Sequence, residues 1–143
     1  MVKYLIILFL LFSSVTYSQT IWYVATTGSD ATGTGTSSAP WKTLLKACGD
    51  ASVNDGDVIN VAAGSYTESQ QVEVPDGVSI QGAGIDVTTI HSSYASGPYL
   101  KLESYGQSGN TAYGNQSISN LTLDGDLVGQ SAMTVNFRSN VKS

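Results

Sequence analysis

The chain has 143 residues, of which 41% are hydrophobic and only 12% are charged. Six Lys and Arg residues stand against 11 Asp and Glu residues, which gives a formal net charge of −5. This composition excludes a charged disordered tail and is not typical of a helical bundle. An acidic chain without a Lys/Arg cluster also argues against nucleic acid or an anionic membrane surface as the partner.

The first segment, residues 1–18, has the pattern of a secretory signal peptide. Lys3 supplies the positive charge, an apolar run (YLIILFLLF) extends from Tyr4 to Phe12, and small polar residues place a cleavage site near Gln19. The alternative is a membrane anchor, but the run is far shorter than the ~20 residues that span a bilayer. We therefore expect a bacterial protein that is secreted or exposed at the cell surface, without a membrane span.

One helix is predicted in the remaining chain, residues 19–143. Trp41, Leu44, Leu45 and Cys48 fall at the i, i+3, i+4 and i+7 positions that share one helical face. The pattern predicts a short amphipathic helix from Trp41 to Cys48. Because the sequence holds a single cysteine, no intramolecular disulfide is available to stabilise the fold.

Short β-strands broken by Gly, Asn, Asp or Pro are predicted from position 55 onward. Strand residues recur at intervals of 20 to 22 positions, as from Val58 to Val78, from Ile80 to Leu102 and from Leu102 to Leu123. Such a period indicates a solenoid, and the leucine-rich repeat pattern is absent. The sequence therefore predicts an all-β fold, a parallel β-helix of about four coils.

The amphipathic helix has an expected place in this fold. The end of a β-solenoid exposes unpaired backbone groups and apolar core, so it requires a cap. We expect the helix to lie over the first coil as that cap. The alternative is that it packs against a side wall.

Several segments resemble the N-terminal part of secreted right-handed parallel β-helix proteins of the pectate-lyase-like group. The segments are WYVATTGSD, APWKTLLKA, DGDVINVAAGSYTE, VPDGVSIQGAG and TTI. The later ISNLTLDGD and MTVNFRSNV resemble ordinary coils of the same fold, and the resemblance covers roughly Ile21 to Val141. It implies a right-handed, single-stranded solenoid with an N-terminal cap. The group includes polysaccharide lyases, glycoside hydrolases and surface proteins of unknown role, so the resemblance implies a carbohydrate-related function.

In enzymes of this group the catalytic residues usually lie on middle coils, whereas we expect this chain to end within a coil. We therefore expect residues 19–143 to be the cap and first coils of a truncated protein, inactive alone and prone to self-associate through its open end. Three functions stay open: a lyase or hydrolase whose catalytic coils are missing, a non-enzymatic surface or adhesion solenoid, and a non-functional fragment. The expected partner is a polysaccharide or a cell-surface glycan.

Two features are candidates for chemistry along the coils. His91 is the single histidine and can serve as a general acid or base, but no nucleophile at a recognisable spacing supports a triad. Asp124 and Asp126 flank a glycine and are candidate calcium ligands, because Ca²⁺ binds carboxylates and the carbonyls of Gly-containing turns. A solvated strand-end histidine and a metal-free Asp–Gly turn are the alternatives, and no cofactor is required. Asp55 and Asp57, around another glycine, are predicted to form a turn.

Aromatic rings and one cation are candidate glycan contacts. Tyr99, Tyr105 and Tyr113 lie in one long Gly/Ser-rich stretch and can offer ring faces to a sugar. Lys101 points away from the core by strand alternation and can meet an anionic sugar. The alternatives are rings that pack within their own loop and a solvated lysine, and no catalytic residue is assigned.

Overall fold

The computed structural model of this chain describes residues 18–103, 114–125 and 133–136. Most of the predicted signal peptide, together with Tyr105, Tyr113 and Asp126, lies outside these described residues. The described part holds one short helix and ten strands: β1 Ile21–Val24, α1 Leu44–Gly49, β2 Val58–Val61, β3 Gly64–Glu68, β4 Val72–Val74, β5 Ser79–Gly82, β6 Thr88–Ser92, β7 Leu100–Glu103, β8 Ser117–Ser119, β9 Thr122–Asp124 and β10 Met133–Asn136. No helix among the described residues is long and apolar enough to cross a bilayer.

The strands form three sheets in which neighbouring strands pair in parallel. The first sheet has the order β1-β2-β5-β8, the second β3-β6-β9 and the third β4-β7-β10. From β2 to β10 the chain enters the first, second and third sheets in that order, three times in succession. The prediction of an all-β protein with parallel strands is therefore confirmed.

The structure contains a repeat of short parallel strands, as predicted, but some of the predicted steps between paired strands are incorrect. Ile59 pairs with Ile80, a step of 21 positions that agrees with the predicted period. Leu102, however, pairs with Val74 in the third sheet, whereas Ile80 lies in the first sheet. The predicted step from Ile80 to Leu102 therefore joins two different sheets, because the turns between strands differ in length and the repeat has no constant period.

Alternate side chains of all three sheets meet in one hydrophobic core. Ile59 and Ile80 of the first sheet, Ile90 of the second, and Val72 and Leu100 of the third are at most 1% exposed. The residues between them along each strand are less buried, which is the two-residue alternation of a strand. The inner faces are mostly apolar, although the second sheet also buries Glu68, Thr88 and Ser92.

The N-terminal edge of the first sheet is covered by the segment that follows β1. The backbone N–H of Tyr23 donates to the carbonyl of Gly35 at 2.8 Å, and the N–H of Trp41 donates to the carbonyl of Tyr23 at 3.0 Å. Trp41 also forms a parallel bridge with Val24. The unpaired edge that favours association of strands is therefore occupied by the chain itself.

The sequence predicted that helix α1 begins at Trp41, but the helix begins at Leu44. The hydroxyl of Thr43 accepts the backbone N–H of Lys46 at 3.0 Å, so Thr43 is the N-cap residue. Trp41 is instead held in extended backbone by its bridge to β1. The helix contacts β4 and β1, which are the edge strands of the third and first sheets.

Candidate functional site

The outer face of the second sheet carries six polar side chains in two rows. Alternation along β3, β6 and β9 places them outward, because the residues between them on β3 and β6 are buried. Strand pairing then aligns them across the sheet. We call this the second-sheet face, and its two rows are Ser65–Thr89–Thr122 and Thr67–His91–Asp124.

A histidine and a carboxylate lie side by side within this face. Nδ1 of His91 is 3.4 Å from Oδ2 of Asp124, and the two side chains are 29% and 46% exposed. A carboxylate in this position can orient an imidazole ring. The sequence singled out both residues separately, but it gave no reason to pair them, because β7 and β8 lie between their strands in the chain.

A second carboxylate lies at the edge of the second-sheet face. The Thr122 hydroxyl accepts the backbone N–H of Asp86 at 3.0 Å and lies 3.3 Å from Oδ1 of Asp86. Asp86 has a φ of 62°, a left-handed conformation that Asp adopts more readily than most residues. These bonds hold an exposed carboxylate next to a row of hydroxyl groups.

Tyr99 does not offer its ring to solvent. The residue is 1% exposed, and its hydroxyl donates to the backbone carbonyl of Ile90 at 2.9 Å. Burial, together with the nearby charge of Asp124, raises the pKa of Tyr99 to about 12. The predicted glycan contact through this ring is therefore incorrect, because the ring belongs to the core.

Lys101 points outward from the third sheet, as alternation predicted. Its flanking residues Leu100 and Leu102 are 1% and 5% exposed, while its Nζ lies 3.0 Å from Oε1 of Glu73 on the neighbouring strand. Lys101 is therefore on a different sheet from His91 and does not contribute to the second-sheet face. Its predicted contact with a glycan stays a prediction.

The calcium prediction also stays a prediction. Asp124 lies beside His91, whereas its expected partner Asp126 is outside the described residues. Within the described part of the chain, no group of three or more His, Cys, Asp or Glu residues is arranged to hold a metal ion.

The Asp55–Asp57 segment forms the predicted turn, and Asp57 has a structural role there. Its buried carboxylate accepts the N–H groups of Thr20, Asn54 and the Trp22 indole, at 2.9, 3.0 and 2.9 Å. Burial alone would raise the pKa of Asp57, but these hydrogen bonds outweigh it and lower the pKa.

A buried carboxylate that the sequence analysis did not single out lies on the inner side of the second sheet. Glu68 is 1% exposed and accepts the backbone N–H groups of Leu44 and Leu45. Burial raises its pKa, although the two N–H donors act in the opposite direction. The alternation of strand side chains could have identified Glu68 from the sequence, because residues 66 and 68 lie on the same side of a strand and Tyr66 is a core-type residue.

A groove of about 480 Å³ runs between α1 and β4. It contains no residue of the second-sheet face, and two of its side chains are acidic. Its lining residues are Leu45, Cys48, Gly49, Gln71, Glu73, Val74, Pro75 and Asp76.

Comparison with protein families gave one match. The model of a family described as proteins of unknown function (DUF1565) matches residues 26–99. The chain belongs to this family. The family is associated with parallel β-helix proteins, and the matched range includes α1 and His91 but ends before Asp124. No curated protein and no solved structure matches the chain.

Proposed function

We propose that the three sheets are the walls of a right-handed parallel β-helix and that this protein binds carbohydrate outside the cell. The repeated passage through three parallel sheets supports the solenoid, and crossovers between parallel strands are right-handed in nearly all proteins. The family's association with parallel β-helix proteins supports it as well. In this proposal α1 and the segment before it cap the first coil, since they lie against the edge strands β1 and β4.

The second-sheet face is the single observation that best supports carbohydrate binding. Four of its six side chains are hydroxyls, each of which can both donate and accept a hydrogen bond, as the hydroxyls of a sugar do. The rows follow the stacking direction with a strand spacing of about 4.8 Å. A linear glycan that lies along the stack would therefore meet one polar group from each successive strand.

An enzymatic role is the second candidate, and the His91–Asp124 pair favours it. A general base must come within hydrogen-bond reach of the proton that it removes, and it is commonly a histidine. The imidazole is partly exposed and lies against a carboxylate that can hold its orientation. A lyase or hydrolase would use this pair, whereas a surface or adhesion solenoid would use the same face for binding alone.

A binding experiment with the purified full chain tests the proposed site. A panel of immobilised polysaccharides is compared for the unaltered chain, His91→Ala and Thr89→Ala, with Lys101→Ala on the third sheet as the control. We expect both second-sheet variants to weaken retention of the bound glycan several-fold and the control to leave it unchanged. Loss of binding in Lys101→Ala alone would instead favour the third sheet as the binding wall.

An activity assay separates the two candidate functions. Any polysaccharide that binds is incubated with the chain and examined for new reducing ends and for the ultraviolet absorbance of an unsaturated product. Turnover that disappears in both His91→Ala and Asp124→Asn would support an enzyme. Binding without turnover would support a non-enzymatic solenoid.

The fold and export parts of the proposal have their own tests. Far-ultraviolet circular dichroism should show a strand-type spectrum, and a predominantly helical spectrum would contradict the β-helix. Protein recovered from the culture medium should begin near Gln19. Retention of the uncleaved chain inside the cell would contradict the signal peptide.

A further inference from the structure

The second-sheet face is built from strands that carry no Lys or Arg, and its basic side chain is the His91 imidazole beside Asp124. The sequence contains no Lys or Arg from Ala47 to Leu100, and β9 adds none. Asp124 lies within the face, and Asp86 lies at its edge beside Thr122. The strands and the adjoining turn thus present two carboxylates among hydroxyl groups.

The described lysines that form ion pairs lie on other parts of the molecule. Lys46 of α1 pairs with the C-cap residue Asp50 at 2.8 Å, and Lys101 pairs with Glu73 on the third sheet at 3.0 Å. These two lysines and the two carboxylates of the second-sheet face therefore lie on different parts of the described structure.

This distribution of charge bears on the kind of glycan that the face can hold. A polyuronate carries one carboxylate on each sugar, and bringing like charges together opposes binding. A glycan with free amino groups has the opposite property, because an ammonium group forms a charge-assisted hydrogen bond with a carboxylate. The neutral hydroxyls of either glycan would form hydrogen bonds with the Ser and Thr hydroxyls of the face in the same way.

We propose that the second-sheet face takes glycans with free amino groups in preference to polyuronates. The inference rests on the proposed carbohydrate binding and specifies its substrate class. Asp124 and Asp86 accept hydrogen bonds from the ammonium groups, while the rows of hydroxyls hold the sugar backbone. Asp86 lies beside Thr122, and Asp124 lies two residues beyond Thr122 along β9, about 7 Å by the rise of a strand. The two carboxylates therefore serve different parts of one ligand.

Three matched oligosaccharides test this proposal with the purified full chain. They are a glucosamine oligomer with free amines, the same oligomer after N-acetylation, and an oligogalacturonate of equal length. We expect the free amine to bind about two- to five-fold more tightly than its acetylated form for each ion pair made. The oligogalacturonate should bind most weakly, and the preference for the amine should decrease as salt screens the charges.

Two conservative variants and a matched control separate this site from general attraction to an acidic protein. Asp124→Asn and Asp86→Asn should each reduce the preference for the amine, whereas Glu73→Gln, an exposed carboxylate on the third sheet, should leave it unchanged. Equal effects from all three variants would overturn the inference, as would an oligogalacturonate that binds as tightly as the amine. If none of the three oligosaccharides binds, the proposed carbohydrate function is itself incorrect.

Discussion

Oε1 of Glu68 accepts the backbone N–H of Leu44 at 2.7 Å, so a carboxylate from the second sheet holds the first turn of α1. Its other oxygen accepts the N–H of Leu45 at 3.3 Å. Helix α1 has six residues, and an isolated helix of this length is not stable in water. The helix therefore depends on contacts of this kind and on its buried face.

Replacing Glu68 should destabilise the fold. Glu68→Ala leaves two N–H groups at a buried helix end without their acceptor, which should lower the free energy of unfolding by about 2 to 4 kcal/mol. Urea unfolding followed by circular dichroism measures this change. Glu73→Ala is the control, because Glu73 is exposed and pairs with Lys101 at the surface, and it should change stability by less than about 1 kcal/mol. Similar effects from both variants would contradict the structural role of Glu68.

The raised pKa of Glu68 predicts how stability depends on pH. The folded chain binds this proton more tightly than the unfolded chain, so the contribution of Glu68 to stability is complete below its ordinary value of 4.5. The contribution decreases as the pH rises from that value through the raised pKa. Urea midpoints over this range should decrease with pH more steeply in the unaltered chain than in Glu68→Gln. A variant with the same slope would show that Glu68 does not titrate in this range.

Asp57 should give the opposite pH dependence. Its pKa is lowered, so its contribution to stability is present above its ordinary value of 3.8 and is lost as the pH decreases through the folded value. Asp57→Asn should cost about 1 to 3 kcal/mol near neutral pH, since an amide presents one acceptor where three N–H donors converge. Acid titration of the urea midpoint measures both effects. Asp76→Asn, at an exposed position, is the control and should change stability near neutral pH by less than about 0.5 kcal/mol.

Close stacking of successive turns predicts a steric effect at Gly82. A Cβ atom there would overlap the carbonyl oxygen of Asn120 and lie 2.7 Å from Cβ of Leu121. Gly82→Ala should therefore lower stability by about 1 to 3 kcal/mol. Gly49→Ala is a matched control, because a Cβ atom at position 49 meets nothing within 4 Å. Thermal unfolding of the two variants should separate them, and equal melting temperatures would contradict the stacking.

The thiol of Cys48 should be unreactive in the folded protein. Burial, together with the charge of Glu68, raises its pKa to about 12, and the thiolate is the reactive form. Labelling with a maleimide should be slow in buffer and rapid in urea, with a midpoint that coincides with unfolding measured by circular dichroism. Rapid labelling in buffer would show that α1 opens locally without global unfolding.

Part of the fold was accessible from sequence because local patterns determine it. Alternating apolar residues place Ile59, Ile80 and Leu102 in a core, and the same alternation places Lys101 outside. The start of β3 was not accessible from the sequence. Gly64 lies in an Ala-Gly-Ser pattern that is typical of a turn, yet it pairs with Thr88 of β6. Pairing partners override such local preferences in strands.

The sequence alone determined the all-β class, the parallel strands, one short helix among the described residues and the acidic character, because each follows from composition or from local patterns along the chain. Tertiary structure decided which residues meet. Strand register brought His91 to Asp124, and packing placed the Tyr99 ring in the core and the Glu68 carboxylate against α1. The physical reason is that turns of unequal length set the register between sheets, and no local pattern specifies the length that the packed core selects.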